Sequence, residues 1–151
     1  MIKKIMMLAI AFVAMAASAQ VKPGVETLRD SGFEQLKGKR VGLITNPSGV
    51  DNNLVSTIDI LANAPGVKLT ALYSPEHGVR GDIPAGEKVA TYTDAATGVT
   101  VYSLYGKNKK PSAEMLADVD VLVYDIQDNG CRSFTFISTM GLCMEACAEN
   151  N

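Results

Sequence analysis

Four short apolar runs, separated by longer polar or helical stretches, constrain the fold of this chain more than any other feature. The runs are RVGLIT at 40–45, VKLTALY at 67–73, VTVYSL at 99–104 and VDVLVYDI at 119–126. Their apolar residues are mostly continuous rather than alternating, which is typical of strands buried on both faces of a parallel sheet. The runs therefore predict four strands of a parallel sheet that helices cover.

Helical patterns lie around and between the four runs. They occupy 25–36, 53–64, 111–119 and the last segment, where Ile137, Met140, Met144 and Cys147 recur at three- and four-residue steps. In the second pattern Leu54, Ile58 and Leu61 share one face, and Asp51 or Asn52 is the expected N-cap. Strands that alternate with helices predict an α/β fold built on a doubly wound, mostly parallel sheet.

The first 19 residues have the order of a secretory signal peptide. A basic start, MIKK, precedes the apolar stretch IMMLAIAFVAMAA and the small residues Ala17, Ser18 and Ala19. A retained anchor helix is the alternative, but the apolar stretch is short for a membrane span. We expect cleavage after Ala19, a secreted or periplasmic protein without further membrane contact, and a remaining chain of 132 of the 151 residues.

Charge and cysteine content narrow the function classes. Without Lys3 and Lys4, 12 basic residues stand against 16 acidic ones, a net charge of −4, which argues against a nucleic-acid partner. The cysteines Cys131, Cys143 and Cys147 lack the spacing of a disulfide framework or a zinc site. We expect them to be small core residues.

Two segments depart from the regular alternation. The connection from Ser74 to Gly98 has 25 residues without a convincing helix, and such connections in compact domains are usually functional or disordered. The last stretch, CMEACAENN, has no helix-ending glycine and no further strand after it. We expect residues 20–151 to be the first part of a longer protein; a complete small domain is the alternative.

Polar residues follow the predicted strands, and ligands of open parallel sheets bind outside the carboxyl ends of their strands. The first, second and fourth runs are followed by Thr45, Asn46 and Ser48, by Glu76, His77, Arg80 and Asp82, and by Asp125, Gln127, Asp128 and Arg132. The third run is followed by YGKNKKP. We expect these groups to converge on one edge of the sheet.

Glu76 and His77, the single histidine of the chain, lie side by side at the end of the second run. A carboxyl group at the rim of an apolar strand end can hold a proton and act as a general acid, and His77 could position substrate or share a proton. Alternatively, Glu76 caps a turn and His77 bonds to backbone.

The other candidates have structural alternatives of the same kind. Gln127 and Arg132 could bind sugar hydroxyls and a carboxylate, respectively, or tie loops together. Asp125 and Asp128 could cap the following helix. A metal site of Glu76, His77, Asp82 and Asp125 lacks a fixed ligand spacing, and the glycine patterns of phosphate loops and of serine hydrolases are absent.

Four stretches together resemble the exo-β-N-acetylmuramidases of the NamZ type. They are LKGKRVGLITNPSGVD, SPEHGVRGDIPAGEKV, VYSLYGKNKKPSAEML and VDVLVYDIQDNGCRSFTFISTM, and the resemblance covers about residues 34–149. It implies a Rossmann-like N-terminal subdomain of a glycoside hydrolase that needs no cofactor. The implied activity releases terminal N-acetylmuramic acid from the non-reducing end of peptidoglycan fragments, with the cleft between this subdomain and a C-terminal one.

The resemblance also implies roles for individual residues. The glutamate of its P-E-H-G motif falls on Glu76 as the expected catalytic acid, with His77 beside it. The residues that would line the sugar site are Asn46, Arg80, Asp125, Gln127 and Arg132. The sequence pairs no second carboxylate with Glu76, so retention and inversion both stay open. The second subdomain of the family is absent from this sequence, so we expect the 151-residue chain to be nearly inactive and its last helix to expose apolar surface. A secreted sugar-binding module without turnover is the alternative function.

Overall fold

The computed structural model describes residues 21–84, 86–87 and 90–150, so the predicted signal peptide lies outside the described residues. The elements, in chain order, are α1 (Gly24–Asp30), a 3-10 helix (Glu34–Leu36), β1 (Arg40–Thr45), α2 (Thr57–Ala62), β2 (Lys68–Ser74), β3 (Tyr92–Thr93), β4 (Thr100–Ser103), α3 (Ala113–Leu116), β5 (Val121–Asp125) and α4 (Phe136–Asn150). Within the described residues, each helix is too short or too polar to cross a membrane.

The strands form one sheet in the order β3-β4-β2-β1-β5. β1 pairs in parallel with β2 and β5, β2 pairs in parallel with β4, and β3 pairs antiparallel to β4. The four predicted strands are confirmed, with ends that shift by at most two residues. If β3 is left out, the sheet order is β4-β2-β1-β5. When these four parallel strands are numbered along the chain, this order is 3-2-1-4, as in a Rossmann-like sheet.

Helices cover both faces of this sheet, which confirms the doubly wound arrangement. On one face, Ile58 and Leu61 of α2 pack with Leu43 of β1 and Leu72 of β2. On the other face, Tyr73 of β2 lies in a second cluster that the following residues share: Ile44, Ala71, Leu104, Ile126 and Cys143, with Met115 and Leu116 of α3 packed against them. Within each of β1 and β2, successive residues thus pack into opposite layers. This explains why both strands are continuously apolar.

The long connection after β2 contains a strand that the sequence pattern did not reveal. Tyr92 and Thr93 form β3, which returns antiparallel to β4 through a tight turn. Asp94 donates its backbone N–H to the carbonyl of Val99 at 2.9 Å and accepts from Gly98 N–H at 2.8 Å. A two-residue strand carries too little periodicity to be recognised from sequence.

Helix α2 begins later than predicted, and the expected N-caps are wrong. Ser56 is the N-cap, and its side chain accepts a hydrogen bond from Ile58 N–H at 3.2 Å. Asp51 instead accepts from the N–H groups of Asn53 and Val55 at 2.8 and 2.9 Å, which holds a turn. Leu54 in that turn has a positive φ of 62° and is 80% exposed, so it does not share the buried face with Ile58.

The last helix is confirmed, but its buried face differs from the apolar pattern. Thr139, Cys143 and Ala146 are buried, whereas Ile137 and Met144 are 56% and 65% exposed. The expected exposed apolar surface is therefore present on α4.

The cysteines have unequal environments, and all three are free. Burial raises the pKa of the Cys143 thiol to about 12, as expected of a core thiol. The expectation that Cys131 and Cys147 are also core residues is wrong, because both are exposed.

Gly42 in β1 allows the second apolar layer to close on the sheet. A Cβ atom there would lie 2.8 Å from a ring carbon of Tyr73 and 2.9 Å from a methyl carbon of Leu122. The Tyr73 ring is fully buried, and its hydroxyl donates to the Met115 carbonyl at 2.6 Å. The ring therefore has no space to retreat, and position 42 requires the absence of a side chain.

We predict that Gly42→Ala lowers the free energy of unfolding by about 1–3 kcal/mol, the usual cost of overpacking a core. The measurement is urea-induced unfolding. Gly141→Ala is the matched control, since a Cβ there meets nothing within 4 Å and alanine favours the helical backbone. Equal stability of the two variants would contradict this account of the packing.

Candidate functional site

The carboxyl ends of β1, β2, β4 and β5 lie along one edge of the sheet, because these strands are parallel. β1 lies between β2 and β5, and the chain order of the strands reverses direction between β1 and β5. The crevice at such a switch point is the usual ligand position of an open α/β sheet. The predicted convergence of the strand-end segments on one edge is therefore confirmed for the backbone.

The segments after β1 and β5 are joined by a chain of hydrogen bonds. Ser48 Oγ donates to Asn46 Oδ1 at 2.6 Å and accepts from the backbone N–H of Gln127 at 2.9 Å. Asn46 Oδ1 also accepts from Ser48 N–H at 2.9 Å. Asn46 and Gln127, both predicted to line the site, thus lie in loops that Ser48 links. These contacts occupy the Asn46 carbonyl oxygen and involve only the backbone of Gln127.

Asp125 ends β5 and is held from two sides. Thr45 donates its hydroxyl to the Asp125 carbonyl at 2.8 Å, and Thr57 at the start of α2 donates to Asp125 Oδ2 at 2.5 Å. Gly49 packs closely against this contact, since a Cβ atom there would lie 2.2 Å from Thr45 Oγ1 and 2.7 Å from the Asp125 carbonyl oxygen. The Asp125 carboxylate therefore fixes the start of α2 through Oδ2, and within the described residues no hydrogen bond uses Oδ1.

Glu76 lies just beyond β2 and is half-buried, following the fully buried Pro75. Tyr105 donates its hydroxyl to Glu76 Oε1 at 2.8 Å. The backbones that carry these two residues are also joined, because Leu104 N–H donates to the Ser74 carbonyl at 2.8 Å. The carboxyl group is thereby held at the sheet edge by a donor from the neighbouring strand end.

His77 follows with the unusual backbone of a tight turn. Its φ is +75°, and that of Gly78 is +81°, so two successive residues are left-handed. His77 Nδ1 lies 3.4 Å from the Ile83 carbonyl, and Ile83 N–H donates to the His77 carbonyl at 3.3 Å. This arrangement fits the backbone-bonding alternative for His77, and it turns the chain sharply after Glu76.

Arg80 was expected to line a sugar site, but its guanidinium is engaged elsewhere. It donates to both carboxylate oxygens of Asp94, from Nε at 2.6 Å and from Nη2 at 2.9 Å. It also donates to both oxygens of Asp59 in α2, at 2.8 and 3.3 Å. Two forked ion pairs thus use four of its five N–H groups, and they tie the segment after β2 to α2 and to the β3–β4 hairpin.

The segment after β5 carries the remaining candidates. Asp128 Oδ1 accepts from Gly130 N–H at 2.7 Å, and the Gln127 amide donates to the Asp128 carbonyl at 3.3 Å. Asp128 therefore closes a turn within this loop. Arg132 is exposed and makes no ion pair with the part of the chain that the structure describes.

Glu76 lines neither of two grooves that the described residues form. One, of about 430 Å³, lies beside α3 and α4 and includes Arg40 and Asp120. The other, of about 410 Å³, lies between α1 and the end of β5 and includes Thr57 and Asp125. Glu76 lies outside both grooves and is half-buried. Among residues 21–84, 86–87 and 90–150, no three His, Cys, Asp or Glu side chains are grouped to hold a metal ion.

Sequence reasoning missed three residues: Tyr105 and Thr57 at this edge, and Asp94 in the turn between β3 and β4, at the amino end of β4. Tyr105 lies directly after the third apolar run, and its position there was the available signal, but a tyrosine at a strand end also fits a core residue. The helical pattern at 53–64 puts Thr57 in the second turn of a helix, whereas in the structure Thr57 is the first residue of α2. Asp94 belongs to the hairpin that the pattern did not reveal.

Comparisons with known proteins give consistent matches. The family model described as exo-beta-N-acetylmuramidase NamZ, N-terminal, matches residues 41–151. A curated protein of Bacillus subtilis (strain 168), named peptidoglycan beta-N-acetylmuramidase NamZ, is 57% identical over 135 residues, which cover 89% of this chain and 33% of that protein.

Two crystal structures of DUF1343 family proteins from Bacteroides fragilis NCTC 9343 also match. One is 66% identical with a TM-score of 0.79, and the match covers 86% of this chain and 32% of that one. The other is 35% identical with a TM-score of 0.70, and the match covers 87% and 32% of the two chains. This chain thus spans about a third of the length of these relatives.

The Arg80 ion pair predicts a specific pH dependence of stability. The Arg80 guanidinium lowers the pKa of Asp94 to about 2. Because this folded-state pKa is below the usual value of 3.8, the pair stabilises the fold at neutral pH, and the contribution is lost as the pH falls through that interval. We expect Asp94→Asn to lower the free energy of unfolding at pH 7 by about 2 kcal/mol.

The measurement is urea unfolding of the Asp94→Asn variant and the unchanged chain between pH 7 and pH 2. Asp118→Asn is the control, because Asp118 pairs with Arg40 but is 87% exposed, so its loss should matter little. A constant difference between Asp94→Asn and the unchanged chain across this pH range would refute the ion-pair explanation.

Proposed function

Because the chain belongs to the exo-β-N-acetylmuramidase NamZ family, whose N-terminal model it matches, we propose that the full-length protein is a glycoside hydrolase. Its substrates are peptidoglycan fragments that end in N-acetylmuramic acid, and it releases that sugar from their non-reducing end. The observation that carries the proposal is Glu76, a half-buried carboxyl group at the carboxyl edge of the sheet, held by Tyr105.

The chemistry of glycoside hydrolysis explains why this carboxyl group is suited to the task. The leaving sugar oxygen must receive a proton as its bond to the anomeric carbon breaks, and a positioned carboxylic acid supplies it. Glu76 is partly shielded from water, yet it keeps part of its surface exposed, which gives a saccharide access to it. We assign Glu76 the role of catalytic acid. His77, the next residue, is assigned to the catalytic site beside it, where it positions substrate or shares a proton.

Other groups of the same edge suit the substituents of N-acetylmuramic acid. This sugar carries hydroxyls, an acetamido group and a lactyl carboxylate. Asn46, Asp125 and Gln127 offer amide and carboxylate groups for the hydroxyls, whereas the exposed Arg132 is suited to the lactyl carboxylate. Arg80 is less suited than we expected, since Asp59 and Asp94 already bind its guanidinium.

The proposal extends to location and domain organisation. The exposed apolar side chains of α4, among them Ile137 and Met144, and the partial exposure of Glu76 fit a chain that forms one wall of a cleft. We propose that residues 20–151 are the Rossmann-like subdomain of a longer glycosidase. The signal-peptide pattern of residues 1–19 supports a secreted or periplasmic protein, where peptidoglycan is found.

We predict that a version extended to the length of the relatives releases N-acetylmuramic acid from a muramic-acid-terminated disaccharide, and that the 151-residue chain hardly does. In the extended version, Glu76→Gln should lower kcat by about 10²- to 10⁴-fold, because the proton donor is lost while the shape is kept. Release of the sugar is measured by chromatography.

The matched control is Glu34→Gln, an exposed glutamate in the 3-10 helix before β1, which should keep full activity. Saccharide binding without turnover by the extended version would favour the alternative function, a secreted cell-wall-binding module. Turnover that survives Glu76→Gln would remove Glu76 from the role of acid.

A further inference from the structure

We propose that Tyr105 is a positioning residue for Glu76, which fixes the orientation of its carboxyl group and leaves Oε2 as the oxygen that delivers the proton. This inference rests on the proposed function, because it needs Glu76 to act as the acid. It concerns a residue to which the sequence pattern assigned no role.

The geometry of the pair is set by the backbone and not by the two side chains alone. Tyr73 and Ser74 of β2 stand in parallel register with Tyr102 and Ser103 of β4. The Leu104 N–H to Ser74 carbonyl bond continues this pairing beyond the strands. Glu76 lies two residues after Ser74, and Tyr105 lies one residue after Leu104.

Two further contacts restrict the segment that carries Tyr105. Its backbone N–H donates to Ser103 Oγ at 3.2 Å, and the Ser103 hydroxyl donates to the Tyr105 carbonyl at 3.3 Å. Gly106, with a φ of +84°, then turns the chain away. The phenol is therefore presented toward Glu76 from a backbone that is fixed on both sides.

The hydroxyl–carboxyl bond determines where a proton on Glu76 can reside. A phenol has a single O–H to donate, and here it is directed at Oε1 at 2.8 Å. A protonated Glu76 that accepts this bond on Oε1 carries its own proton on Oε2. Tyr105 thus selects one of the two oxygens and one orientation for the transfer.

The same bond favours the transfer itself. In that step the Oε2–H bond breaks, the proton joins the leaving sugar oxygen, and the electron pair of the anomeric C–O bond moves to that oxygen. Glu76 becomes a carboxylate, and a hydrogen bond to a charged acceptor is stronger than one to a neutral acceptor. The Tyr105 donor is therefore worth more after the transfer than before it.

Tyr105 keeps its own proton throughout. The hydrogen bond to Glu76, together with partial burial, raises the pKa of the Tyr105 phenol above its usual value of 10.0. At neutral pH the phenol is therefore a donor and cannot replace Glu76 as the acid.

The test compares Tyr105→Phe with the unchanged enzyme, in the version extended to the length of the relatives, on two substrates. The first is a muramic-acid-terminated disaccharide, whose sugar leaving group needs a proton. The second is the 4-nitrophenyl β-glycoside of N-acetylmuramic acid, whose leaving group departs without one. Tyr102→Phe is the control, because Tyr102 lies in β4 against Tyr73 and its hydroxyl makes no hydrogen bond with the described residues.

We expect Tyr105→Phe to lower kcat on the disaccharide by about tenfold to a hundredfold, the usual effect of losing a hydrogen bond to a charged group. KM should change by less than about twofold, since Tyr105 acts through Glu76 and not on the substrate. Activity on the nitrophenyl substrate and activity of Tyr102→Phe should stay near that of the unchanged enzyme.

Equal losses on both substrates would overturn the proposal, because they would show a general structural defect. Full activity of Tyr105→Phe on the disaccharide would also overturn it. The failure of the proposed function is distinguishable from both results, because then the unchanged extended version would release no sugar from the disaccharide, or Glu76→Gln would retain the activity of the unchanged version.

Discussion

The parallel pairing of β2 with its neighbours is the constraint on which the proposed active edge of this protein depends. The bond from Leu104 N–H to the Ser74 carbonyl carries that pairing one step past the sheet, at 2.8 Å. Pro75 is buried directly after it, so the chain enters the edge from a fixed position. A shift of register between β2 and β4 would separate Glu76 from Tyr105, and the carboxyl group would lose its fixed orientation.

The loops around this edge are held by polar contacts and contain little regular structure. Arg80 joins α2 to the β3–β4 hairpin through Asp59 and Asp94, while Ser48 joins the segments after β1 and β5. Such side-chain bonds order loops that backbone pairing does not reach. Arg132 takes no part in these ion pairs and is exposed, so the residues that support the loops differ from the one that we propose for the lactyl carboxylate.

The fold could be predicted from sequence to a greater extent than the site. β1 was predicted from Arg40 to Thr45 as found, because its two buried faces make it continuously apolar. The two-residue β3 and the late start of α2 could not be predicted, since Asp51 forms a turn by local bonds that periodicity does not show. At the site, the edge was predictable from topology. The engagement of Arg80 by two distant aspartates and the contact of Tyr105 with Glu76 depend on tertiary pairing, which the sequence does not display.

The most direct test of the account is a crystal structure of the full-length Glu76→Gln variant with a muramic-acid-terminated disaccharide. We predict that the glycosidic oxygen lies within about 3.2 Å of the side chain at position 76, the distance that proton transfer requires. The Tyr105 hydroxyl should contact the other atom of the same amide group. A disaccharide bound with its glycosidic oxygen away from position 76, beside Asp82 or Asp125 for instance, would contradict the account.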